Sequence, residues 1–227
     1  MGFLKSLILA VANPTLRFYR TKIVGLSHQR SDMARAQEKW RLIESELPET
    51  AGSLLDIGCN EGYFTLQAAE KGWCGWGIEI IEKAVRYARH EAAQRNLDTA
   101  LFFNAPLTPE AVERMPHFDV ILFMSSFHDF HQVYGGARAY EMFDNLLRAC
   151  RQKMILEPAS TTKRFSATEP VFSKDNDREA IEEWVRTLVA RSPGWTVRYV
   201  GETAYSEVEP YRFMFSIERA PQHPASS

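Results

Sequence analysis

The sequence predicts an α/β protein: a doubly wound, mostly parallel seven-stranded sheet closed by a C-terminal antiparallel hairpin, with an N-terminal helical arm. Three observations predict it. Residues 53–57 form an apolar run that reads as a buried strand, followed by a turn bracketed by Gly58 and Gly62 and then a helix. Strand-like and helix-like segments alternate from there to Glu157, the pattern of parallel strands joined by crossover helices. Residues 118–124, Phe-Asp-Val-Ile-Leu-Phe-Met, are almost continuously apolar, as a strand buried on both faces must be.

Each element follows from its own pattern. Residues 31–46 read as a helix, because Met33, Trp40, Ile43 and Leu47 recur at near-helical spacing and Pro48 stops it. The first strand, 53–57, leads through the glycine turn to a helix over 62–71 that ends at Gly72. The second strand is 74–80. An amphipathic helix over 82–96 follows, with Ala84, Val85, Ala88 and Ala92 inward. A short third strand at 100–103 and a helical turn at 109–114 precede the fourth strand, 118–124. Residues 125–136 read as a loop rich in aromatics and histidine. A helix over 137–150 carries Tyr140, Phe143, Leu146 and Leu147 as its apolar stripe. The fifth strand is 153–156. Residues 161–176 are polar and irregular, a candidate lid, and 177–191 read as a helix. Residues 195–200 and 211–218 then supply the closing hairpin. The expected organisation is an arm or cap over 1–47, one catalytic-type domain over 48–219 and a disordered tail over 220–227.

Composition narrows the classes of function. The 227 residues are 45% apolar and 25% charged, enough for one sizeable core. A net charge of −2 gives no bulk attraction to nucleic acid. Cys59, Cys74 and Cys150 have no metal-ligand spacing and cannot all pair, which suits reduced thiols and a cytoplasmic location. Residues 1–29 contain no acidic residue but include Lys5, Arg17, Arg20 and Lys22. Their apolar run is too short to span a bilayer. The segment reads first as a helix that packs on the domain or covers its site. A peripheral membrane contact, a signal peptide and an N-myristoylation pattern are its other readings.

The glycine turn lets a ligand approach the main chain, and the following helix start offers N–H groups. Asp56 ends the first strand with a carboxylate placed to receive a cationic amino group. Glu79 ends the second, at the spacing where an acid accepts both hydroxyls of a ribose. Ile80 would flank an adenine, and Asn104 would meet its edge. A dinucleotide pyrophosphate needs a bare backbone at this turn, which Asn60 and Glu61 would crowd and repel.

Leu55-Asp56-Ile57-Gly58-Cys59-Asn60-Glu61-Gly62, Gly77-Ile78-Glu79 and Phe118-Asp119-Val120-Ile121-Leu122 together resemble the class I, Rossmann-like S-adenosylmethionine-dependent methyltransferases. The resemblance covers residues 53–158. The family pattern is an acidic residue, any residue, then Gly-x-Gly-x-Gly, and Asn60 stands here at the middle glycine. It implies S-adenosylmethionine as methyl donor and S-adenosylhomocysteine as product. It also implies that the backbone from Gly58 to Gly62, Cys59 included, touches the methionyl part, with Ser125 adding to the donor site.

Ligands in such sheets sit at the carboxyl ends of the strands. Ser125-Ser126-Phe127-His128 resembles the Ser-x-x-His that follows the fourth strand in many small-molecule methyltransferases. His128 is therefore the candidate general base or acceptor-orienting group, with a structural place under the cofactor as its alternative. Phe130, His131, Tyr134 and Glu157 are candidates for acceptor contact. The His128/His131 pair lacks the third ligand that a catalytic metal site needs, so no metal is expected. Ser126-Phe127-His128 with Ile155-Leu156-Glu157 is similar to bacterial methyltransferases that modify surface polysaccharides. The expected activity is methyl transfer to an oxygen or nitrogen of a small acceptor, anionic, aromatic or sugar-like. An RNA methyltransferase and a donor-binding scaffold without catalysis are the competing readings. Oligomeric state is not readable from these features.

Overall fold

The computed structural model describes residues 30–165 and 171–220, so the expectations for residues 1–29 and 221–227 lie outside the described residues. Helix α1 (Arg30–Glu46) leads into β1 (Ser53–Ile57), α2 (Tyr63–Glu70), β2 (Cys74–Glu79), α3 (Glu82–Gln94) and β3 (Ala100–Asn104). Then come α4 (Pro109–Glu113), β4 (Phe118–Met124), α5 (Phe127–Tyr134), α6 (Gly136–Ala149) and β5 (Cys150–Glu157). A 3₁₀ turn (Thr162–Arg164), α7 (Arg178–Ala190), β6 (Trp195–Ala204) and β7 (Tyr211–Arg219) complete the order.

The seven strands form one sheet in the order β3-β2-β1-β4-β5-β7-β6. The first five are parallel; β7 pairs antiparallel with both β5 and β6. This is the doubly wound sheet with an antiparallel addition that the strand and helix alternation predicts. Strand order reverses at β1, between β2 and β4, which places the ligand crevice at the carboxyl ends of those strands.

Alternation along the strands divides the core into two layers. Leu55, Ile57, Ile121, Phe123, Met154, Leu156, Phe213, Phe215 and Ile217 face the layer formed by α4, α5, α6 and α7. Leu54, Val120, Leu122, Met124, Ile155 and Met214 face the other way, where Trp40 and Ile43 of α1 and Ala68 of α2 meet them. A smaller cluster joins α2 and α3 to Phe102. By the same alternation Asp56, Glu157 and Arg212 point to the α1 and α2 side.

One expected loop is a helix. Residues 127–134 form α5, because Phe127, Phe130, His131 and Tyr134 recur at three and four residues and bury one face against Phe123 and Tyr140. Gly135, at φ 79°, ends it. Strands β5 and β6 also run longer than their apolar runs suggest. In β5, Cys150 and Lys153 pair with β4 before the apolar stretch begins. In β6, Gly201 to Ala204 continue to pair with β7 after a register shift.

Candidate active site

The turn after β1 is built by positive φ angles at Gly58 (68°), Asn60 (50°) and Gly62 (79°). At Gly58 a Cβ would sit 2.4 Å from Ser126 Oγ, so the β1 and β4 ends touch there. At Gly62 it would meet the Phe102 ring at 2.5 Å. Both positions therefore need glycine on two counts, conformation and space. The Gly58 and Cys59 N–H groups donate to the Ile78 carbonyl (2.9 and 3.2 Å), which ties the turn to β2. Cys59 is buried, with its thiol packed where a Gly77 side chain would be.

Glu79 is held as an acceptor by two main-chain donors. The N–H of Asn60 reaches one carboxylate oxygen at 3.0 Å and the N–H of Ile81 reaches the other at 2.9 Å. Asn104 donates its amide to the carbonyls of Glu79 and Ile80, both at 3.0 Å. Its side-chain donors thus shape the turn after β2, and its amide oxygen is what remains for a ligand. Ile80 is half-buried beside it.

Asp56 is 1% exposed and accepts the Thr65 hydroxyl of α2 at 2.9 Å. Burial pushes its carboxyl from 3.8 up to about 7; the Thr65 hydrogen bonds oppose the shift and the charge of Glu79 adds to it. Two neighbouring acids thus stand at the ends of β1 and β2. They are a poor place for a pyrophosphate.

At the end of β4, Ser125 adopts a left-handed conformation with φ 53°. Its N–H donates to the Glu157 carbonyl (2.8 Å), and its hydroxyl donates to Glu157 Oε1 (2.5 Å). Lys39 of α1 reaches the same oxygen at 2.6 Å, while Glu157 Oε2 is buried without a partner among the described residues. Arg212 of β7, 0% exposed, donates to Ser125 Oγ (3.4 Å) and to Glu209 (2.9 Å). Glu209 also accepts the Ser160 N–H at 2.5 Å and lies 3.5 Å from Arg164. The Tyr205 ring lies under the Arg212 guanidinium at 4.1 Å.

His128 is buried on α5; among the described residues its Nδ1 has no partner, and its Nε2 lies 3.5 Å from Asp129. Burial lowers its imidazole from 6.5 to about 3, helped by the charges of Arg212 and Arg164, so the ring is neutral at physiological pH. His131 is also buried, edge-on to Tyr140 and Phe165. Phe130 packs on Phe123 and Tyr134, and the Tyr134 hydroxyl donates to the Leu107 carbonyl at 3.1 Å.

The structure thus brings Asp56, Glu79, Asn60 and the two glycines to one crevice. Ser125 and Glu157 form its neighbouring edge, whereas His131 lies inside the aromatic layer. Sequence reasoning missed Lys39, Arg212 and Glu209. An arginine inside an otherwise apolar strand was a usable signal for Arg212; Lys39 and Glu209 left none. Among the described residues no group of His, Cys, Asp and Glu is arranged to hold a metal ion, and no helix is long and apolar enough to cross a membrane.

A glycine turn at a strand-order switch, flanked by acids on consecutive strands, is the arrangement of a nucleotide-type ligand site in an open α/β sheet. A family profile described as "Methyltransferase domain" matches residues 48–185. The chain belongs to this family and is a class I S-adenosylmethionine-dependent methyltransferase. Two curated relatives from Escherichia coli, each an O-antigen chain terminator bifunctional methyltransferase/kinase WbdD, are 28% and 29% identical over 135 and 133 residues. Each match covers 58% of this chain and 18% of the relative, so the chain aligns with under a fifth of those proteins. A solved structure of WbdD superposes with a TM-score of 0.60 at 22% identity, covering 83% of this chain and 39% of that one. Magnesium protoporphyrin IX methyltransferase (ChlM) from Synechocystis PCC 6803, with bound SAM, gives 0.59 at 17% identity and 96% of both chains. At these identities the structural likeness bears on the fold.

Proposed function

We propose that the chain transfers a methyl group to a hydroxyl or amine of a small polar acceptor, sugar-like in type, that enters at the Ser125–His128 edge. The carrying observation is the Nδ1 of a neutral His128, buried and without a partner among the described residues, beside two arginines. A buried lone pair without a donor is costly, and an acceptor O–H or N–H would satisfy it. Because the imidazolium is disfavoured there, His128 orients the acceptor through this hydrogen bond and does not store its proton. The similarity to WbdD, named an O-antigen chain terminator, supports the sugar-type reading.

Bound S-adenosylmethionine supplies an electrophilic methyl carbon and a sulfur leaving group. Glu79, fixed by two backbone N–H groups, receives the ribose hydroxyls. Asp56 faces the amino group of the methionyl end, and the Gly58–Gly62 backbone lies alongside it. Ile80 flanks the adenine and Asn104 offers it an amide oxygen. Phe130 and Tyr134 border the acceptor. Transfer is an in-line displacement, so alignment supplies most of what the protein contributes.

Incubation with methyl-labelled donor tests this reading, using oligosaccharide, small-amine and RNA fractions in parallel. Label is expected in the oligosaccharide or small-amine fraction. Label confined to RNA, or no transfer into either small-molecule fraction, would overturn it.

A further inference from the structure

The family profile ends at residue 185 and begins at residue 48, yet two cations that reach the crevice lie outside it, Lys39 and Arg212. Both act on Ser125. A non-glycine residue in the left-handed region persists only where its surroundings over-determine it. Ser125 has three ties: its N–H and its hydroxyl to Glu157, and its Oγ to Arg212. Lys39 shares Glu157 Oε1 with the Ser125 hydroxyl, so the position of that oxygen depends on the α1 cation. Charges alternate through the chain of contacts, from Lys39 to Glu157, then across Ser125 to Arg212 and Glu209.

Strand order decides which end of the donor meets Ser125. Glu79 ends β2 and Ser125 follows β4, with β1 between them. Two inter-strand spacings separate the two ends, about 10 Å. That span matches a nucleoside whose diol lies on Glu79 and whose amino-acid tail extends toward β4. We propose that Lys39, through Glu157, and Arg212, through its own bond to Ser125 Oγ, are positioning residues for the amino-acid end of the methyl donor that hold the left-handed turn at Ser125.

The inference rests on the donor-site reading, and two probes separate it from that reading. S-adenosylhomocysteine carries the amino-acid tail; 5′-methylthioadenosine keeps the nucleoside and lacks that tail. Calorimetry on the full chain is expected to show Lys39→Met weakening S-adenosylhomocysteine about tenfold while 5′-methylthioadenosine binds as before. Lys39→Arg should recover most of the loss. The double variant Lys39→Met/Glu157→Gln leaves no lone buried charge and serves where Lys39→Met folds poorly. It should show the same split between probes. Equal weakening of both probes would reduce Lys39 to general stability and overturn the proposal, as would unchanged affinity for both. A wild-type protein that binds neither probe would remove the donor-site reading and the inference with it.

Discussion

Asp56 carries the most information per atom in the crevice. Its folded carboxyl is raised from 3.8 to about 7, chiefly by burial. With the donor's amino group beside it, as proposed, the ionised form is favoured and donor binding below pH 7 releases a proton. S-adenosylhomocysteine is expected to bind up to about tenfold more tightly at pH 8 than at pH 6, with calorimetric heats that vary with buffer ionisation enthalpy. Asp56→Asn should flatten that profile. Unchanged affinity across the range in the wild type would separate Asp56 from the amino group. Glu79 behaves differently, because two main-chain donors already engage it. Glu79→Ala removes both the proposed ribose acceptor and the tie on Asn60, and is expected to weaken S-adenosylhomocysteine by about 100-fold or more. Asp56, Glu79 and the glycines were legible in the sequence because each stands at a fixed step from a strand end. Lys39 was not: it is one lysine among charged neighbours on a helix, and only folding brings it to a glutamate 118 residues away.

At the scale of elements, α1 is more than a cover. Trp40 and Ile43 are 5% and 0% exposed and meet Leu54, Val120 and Leu122 of the central strands. Trp40→Ala is expected to cost about 3–5 kcal/mol of unfolding free energy. Urea denaturation followed by far-UV circular dichroism measures it, and a loss under 1 kcal/mol would show that α1 is dispensable to the core. Periodicity made α1 legible, as it did the alternating strands and helices. Helix α5 was not read, because Phe127, His128, Phe130 and His131 resemble a ligand-binding loop in composition. Its helical period becomes decisive only with the aromatic layer of Phe165, Tyr140 and Trp184 against it. The ends of β5 and β6 escaped for a related reason. In β5 the pairing of Cys150 and Lys153 with β4 spans a register irregularity at Arg151 and Gln152, and in β6 pairing with β7 runs on through Gly201 and Glu202; none of these four has a strand-like pattern.

For the whole molecule, two buried groups oppose one another as pH changes. Asp56 has a raised folded value, so its contribution is present below pH 3.8 and is lost as pH rises through about 7. His128 has a depressed folded value, so the unfolded chain binds its proton first and stability is lost as pH falls from 6.5 toward 3. Between pH 4 and 6.5 the two slopes cancel in part. Relative to the wild-type profile, the melting temperature of Asp56→Asn should rise more steeply with pH across this window, and that of His128→Gln should rise less. Thermal unfolding monitored at pH 4.5 and 6.5 checks both signs. Saturating ligand adds to the same ledger: at 100 times its Kd, S-adenosylhomocysteine should stabilise the wild type by about 2.7 kcal/mol.

The sheet order has a consequence for the sequence of events in assembly. Strand β6 precedes β7 in the chain but lies outside it, and β7 alone bridges β6 to β5. On a ribosome, the side of β5 therefore stays unpaired until β7 has emerged, and β6 has no seat in the sheet until its younger neighbour arrives. Because β7 also carries Arg212, the same docking event that closes the sheet delivers the arginine to Ser125. A nascent chain halted before residue 211 would hold the glycine turn, both acids and Lys39, yet would still expose an open sheet edge to other chains and to proteases.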